Sequence, residues 1–140
     1  MVDKLVALVL ALVVAACWGP SEPSVLRGVT LTPTASAYVA GQTVSAILAN
    51  GSLVEISYGG GCDIGLERSA GGEWVAYGPQ TRLCTASLLT LLPDAEATVA
   101  FRLEPTVESG TYRLRMGVAP VRRGSAQDVR SPSFSVTAPE

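Results

Sequence analysis

The run from Gly110 to Val118 constrains this chain most. Tyr112, Leu114, Met116 and Val118 fall on every second position, with Thr111, Arg113 and Arg115 between them. A period of two gives an extended strand one apolar and one polar face, because successive side chains point to opposite sides. The same alternation recurs along the chain. It places Val29 and Leu31 on one face of a strand over Arg27–Pro33, and Val44, Ala46 and Leu48 on one face of Thr43–Asn50. It also places Val54, Ile56 and Tyr58 inward on Leu53–Tyr58, and Ala97, Val99, Phe101 and Leu103 inward on Ala95–Leu103. Phe134 and Val136 mark a last strand over Ser133–Thr137. No long stretch has helical spacing. Short half-buried strands with turn residues between them predict an all-β fold, an antiparallel β-sandwich of about seven strands.

The punctuation fits that reading. Asn50-Gly51-Ser52 is a turn signal, since Asn and Gly both tolerate positive φ. It also matches the N-glycosylation pattern, and the turn is the preferred reading. Ala70-Gly71-Gly72 joins Ile64–Arg68 to Glu73–Tyr77 as a hairpin. Gly59-Gly60-Gly61 lacks the following helix and anchor residues of a phosphate cradle, so it reads as a loose turn before Cys62. Leu88–Leu92 is an apolar segment ending at Pro93-Asp94, and Ala119–Val129 reads as a polar loop.

The start of the chain follows another rule. An apolar run from Leu5 to Ala16 ends at Val14-Ala15-Ala16-Cys17. A charged start, a short apolar core and small residues at the cut are the parts of a secretory signal. The core is too short to span a bilayer, which takes about 20 residues. Val14-Ala15-Ala16-Cys17 resembles the lipobox of bacterial lipoproteins, in which the signal helix is cut off and the cysteine acylated. The resemblance implies a signal peptide over 1–16, a lipidated Cys17 with a flexible linker over 17–26, and a domain over 27–140. It implies a membrane partner through the anchor at Cys17 and an extracytoplasmic place in the cell envelope. Trp18 after the cysteine favours the outer membrane, facing the periplasm, in a cell with two membranes.

Composition excludes several chemistries. The chain has no His, and its only Lys is Lys4, inside the signal segment. Triads of the Ser-His-Asp or Cys-His kind, imidazole metal ligation and Schiff-base chemistry are thereby unavailable to the mature chain. No cofactor and no metal site is expected. A net charge of −2 argues against a nucleic-acid partner, which needs a basic face. With Cys17 acylated, Cys62 and Cys84 remain, and two cysteines in an oxidising compartment most often pair. The closed loop of about 23 residues would contribute roughly 3 kcal/mol in the chain-entropy picture.

The order of these signals resembles that of bacterial immunoglobulin-like domains, including those carried by small envelope lipoproteins. The residues that carry it are Tyr38 and Gly41, Val44 and Leu48, Asn50, Cys62, Leu66 with Trp74, Cys84, Leu92-Pro93, and above all Gly110-Thr111-Tyr112-Arg113. The resemblance makes Tyr112 a structural corner tyrosine, its hydroxyl bonding back to the preceding loop. Antibody-type domains place their disulfide across the core, whereas Cys62 and Cys84 would staple the middle hairpin region.

These features favour a non-enzymatic, membrane-anchored module that binds a protein partner or serves a structural role in the envelope. Inhibition of an extracytoplasmic protease by the stretch Gly78–Cys84 is the alternative. Asp63, Glu67 and Glu73 are the candidate carboxylates for an acid–base set, although alternating charges on a hairpin usually mark a solvated face. Trp74 and Tyr77 are candidate stacking rings for a sugar. A spacing of three would put them on opposite faces of one strand.

Overall fold

The computed structural model describes residues 24–59, 63–78 and 88–140. They form strands β1 (Val29–Pro33), β2 (Ala37–Val39), β3 (Thr43–Asn50), β4 (Ile56–Tyr58), β5 (Ile64–Ala70) and β6 (Glu73–Tyr77). Then come β7 (Leu89–Leu91), β8 (Glu96–Arg102), β9 (Gly110–Pro120), β10 (Gln127–Arg130) and β11 (Phe134–Thr137). Among the described residues there is no helix, hence none long and apolar enough to cross a membrane.

One sheet has the order β1-β3-β8, and the other runs β2-β11-β9-β4-β7 with β10, β5 and β6 attached. Every pairing is antiparallel except β2 with β11, which is parallel. Leu31, Val44, Leu48, Val99 and Phe101 of the small sheet pack with Ile56, Leu66, Tyr112, Leu114, Met116 and Phe134 of the large one in a single buried cluster. The alternation in the sequence is therefore the sandwich's inside-and-outside pattern, and the fold is an immunoglobulin-like all-β sandwich.

The register reduces the eleven segments to about seven lines. β4 and β5 both lie on one edge of β9, with Tyr58 opposite Val118 and Ile64 opposite Met116. They are two halves of one line, interrupted at the level of Gly117, whose N–H donates to the carbonyl of Asp63. On the other edge of β9, β10 and β11 likewise form one line with a break at Ser131–Ser133. There the Ser131 hydroxyl accepts the Leu114 N–H at 2.8 Å, standing in for a strand carbonyl. β6 and β7 flank β5 and β4 in turn. β1 and β2 are one segment that changes sheets between Pro33 and Ala37.

Three expectations need correction. The strand expected over Leu53–Tyr58 is strand only from Ile56, and Leu53 is almost wholly exposed. Residues 51–55 are instead shaped by Asn50, whose buried side chain donates to the carbonyls of Val54 and Leu91 and accepts from Ser52. That burial also leaves Asn50 out of reach of glycosylation. The expected loop over Ala119–Val129 holds the end of β9 and most of β10. On β10, Asp128 and Arg130 point outward into ion pairs and only Val129 packs against the core, so no apolar rhythm shows. β2 was legible only as Tyr38 before a turn.

Glycine is required where the backbone is left-handed or crowded. Gly71 and Gly72 turn the β5–β6 hairpin at φ of 60° and 85°. Gly28 and Gly51 touch back to back: a Cβ on either would meet the other's carbonyl oxygen at 2.6 Å.

Candidate functional site

The outward face of the large sheet carries a charge ladder that strand register assembles. Glu67 on β5 lies opposite Arg113 on β9, and Arg115 on β9 lies opposite Arg130 on β10. Because β9 points its apolar residues inward, Arg113 and Arg115 must point outward. The Glu67 carboxylate receives Arg113 Nε at 2.6 Å and Arg130 Nε at 3.3 Å. Arg115 Nε lies 4.0 Å from the same carboxylate, and its Nη1 is 3.3 Å from Asp128. Arg130 reaches Asp128 at 3.8 Å. The Glu67 side chain keeps only 9% of its exposure, so it is desolvated and compensated at once.

Trp74 completes the face. It sits opposite Ser69 on the β5–β6 hairpin, and the Arg113 guanidinium lies 4.3 Å from its ring centroid. A guanidinium held between a carboxylate and an indole is fixed in orientation before any partner arrives. Arg130 and Arg115 stay partly open to solvent, with spare N–H donors. Beside them, a polar hollow of about 430 Å³ is lined by Ser24, Arg27, Gly28, Gln127, Asp128 and Arg130 among others. Such a face suits contact with a polar surface. Among the described residues, no three His, Cys, Asp or Glu gather as a metal site.

The other residues singled out from the sequence fall elsewhere. Tyr77 points inward: its ring stacks edge-on against Tyr112 at 5.2 Å, and its hydroxyl accepts the Glu108 N–H. Trp74 and Tyr77 thus occupy opposite faces and form no sugar platform. Tyr112 is fully buried, and its hydroxyl donates to the Glu108 carbonyl at 2.6 Å, four residues back. Burial pushes the Tyr112 phenol up to about 12, and the neighbouring Tyr77 hydroxyl adds to the rise. Arg68 lies over both rings and pairs with Glu108; that hydrogen bond and the phenols raise its already high pKa further.

Asp63, Glu67 and Glu73 are not brought together. Asp63 precedes β5, Glu67 pairs in register with Ala76, and Glu73 pairs with Ala70 at the turn. Cys17, Cys62 and Cys84 lie outside the described residues, as does the inhibitor stretch beyond Gly78. The sequence reading missed Asp128 and Arg130 as members of the face. The signal available was the alternation of Arg113 and Arg115 on a strand whose other side is apolar.

No protein-family profile matches the sequence, and no curated protein matches it. Solved structures do resemble the fold. The seventh PapD-like domain of human CEP192 is 12% identical with a TM-score of 0.48, covering 91% of this chain and 96% of that one. A ceramidase complexed with C2 is 14% identical at a TM-score of 0.40, over 89% of this chain and 22% of that one. The neutral ceramidase from Pseudomonas aeruginosa is 14% identical at 0.39, over 77% and 18%. The chain spans about a fifth of those two enzymes' length. These likenesses concern architecture alone, and none of those proteins' activities is carried over to this chain.

Proposed function

We propose that this chain is a non-enzymatic binding module, exported to the cell envelope and held on the membrane by acyl chains on Cys17, that engages a protein partner through the outward face of its large sheet. The observation that carries the binding reading is the fixed Arg113, locked between Glu67 and Trp74 beside the half-open Arg115 and Arg130. Trp and Arg are the side chains that dominate interface energies, and a pre-fixed side chain loses little entropy on contact. The lipobox-like Cys17 supports the anchor, and export supports a Cys62–Cys84 bridge. The described flanks favour that bridge too. Tyr58, four residues before Cys62, and Leu89, five residues after Cys84, are register partners.

The test is cross-linking of the full-length chain in its native envelope, native against Trp74→Ala and Arg130→Ala. A partner captured by the native chain and reduced at least tenfold in both variants, with unchanged thermal melting, supports the reading. Equal capture by all three overturns it.

A further inference from the structure

The end of the sandwich where the chain enters carries an unusual surface. Ser24 opens the described chain there and hydrogen-bonds to Gln127, and Gly28 lies against Gly51. Residues 51–55, the turn at Leu92–Asp94 and residues 121–126 meet at this same end. Asn50 ties the first two together by bonding the carbonyls of Val54 and Leu91, and the Val121 N–H donates to the Glu55 carbonyl. On these three loops Leu53 is 95%, Leu92 62% and Val121 43% exposed. Leu53 shares a cavity of about 600 Å³ with Val54, Glu55, Pro120, Arg122 and Arg123. These three aliphatic side chains stand exposed at loop tips, with a pair of arginines beside Leu53.

We propose that this end is a membrane-docking surface, with Leu53, Leu92 and Val121 entering the interface of a bilayer and Arg122 and Arg123 binding anionic phospholipid headgroups. The inference rests on the acylation of Cys17 proposed above. Seven peptide units separate Cys17 from Ser24, so the anchor lies within about 25 Å of this end by covalent length. The tether therefore holds these loops, at the end where the chain enters, within that reach of the lipid. Apolar area and cationic side chains add in interfacial binding, and each arginine near an anionic surface raises partition about fivefold. Within the cavity two arginines face one acid, Glu55.

The test uses the full chain, purified from its native membrane and reconstituted into vesicles with brominated acyl chains, which quench an indole only at bilayer depth. A Leu53→Trp substitution in a Trp18→Phe background supplies the reporter, and Trp74 on the sheet face is the internal reference. Mass spectrometry of the same sample reports the acylation of Cys17 separately. In phosphatidylglycerol vesicles the introduced indole is expected to lose at least half its emission while Trp74 emission is kept. Adding Arg122→Ser and Arg123→Ser, or using phosphatidylcholine vesicles, should weaken the quenching severalfold. An acylated chain whose introduced indole stays unquenched overturns the docking surface and leaves the anchor standing; a protein occupant of these loops would give that result. A chain without acyl groups overturns the anchor and, with it, this inference.

Discussion

Asn50 shows how much a single amide can organise. Its Nδ2 donates to Val54 at 2.8 Å and Leu91 at 3.0 Å, and its Oδ1 accepts from the Ser52 N–H at 3.1 Å. Three chain segments thus meet on one side chain that is 1% exposed. Asn50→Ala would strand buried carbonyls, at a cost of about 2–4 kcal/mol. Urea unfolding should show that loss with an unchanged slope. Tyr112 has a pH signature. Its phenol titrates higher in the folded chain, about 12 against an ordinary 10, so the folded state holds its proton longer. That stabilisation is complete below pH 10 and is lost as pH rises from 10 towards 12. Melting temperature measured across that window should fall more steeply for the native chain than for Tyr112→Phe. At neutral pH the variant should be about 1–2 kcal/mol less stable, for want of the bond to Glu108.

At the scale of elements, the clearest strands in the sequence were those with one job. β3 and β9 alternate without a fault because one face of each meets only the core. β10 was missed because Asp128 and Arg130 serve a charge ladder, Gln127 bonds to Ser24, and Val129 is only half-buried. β2 is three residues long with one buried side chain, too short for a period to register. The ladder itself was illegible for a different reason. Its bonds join residues 46 and 63 positions apart, and only register brings them together. Glu67→Ala should therefore destabilise the chain by about 1–3 kcal/mol, because it leaves Arg113 without its carboxylate. Glu67→Gln should lose less, since it keeps acceptor oxygen for Arg113; denaturant titration separates the two. Gly72→Val, at φ 85° in the hairpin turn, should cost about 1–2 kcal/mol by the same assay.

For the whole molecule, the sandwich followed from period and punctuation, but its interruptions did not. Triple glycine at 59–61 reads as a turn; residues 60–62 lie outside the described residues, and the strands on either side of them, β4 and β5, pair with the same strand, β9. A sequence does not distinguish a strand that ends from one that pauses. If Cys62 and Cys84 are bridged, the intact chain should be 2 Da lighter than the reduced one, and reduction should lower its stability by roughly 3 kcal/mol.

The parallel union of β2 with β11 has a mechanical consequence. β2, near the start of the domain, and the last strand run side by side in one direction, through three register pairs and the flanking bonds Ala40 N–H to Thr137 and Ser135 N–H to Ser36. Tension between the two ends of the chain would drag these strands lengthwise past each other. Their hydrogen bonds would then have to fail together, as in a lap joint, instead of opening one after another like a peeled seam.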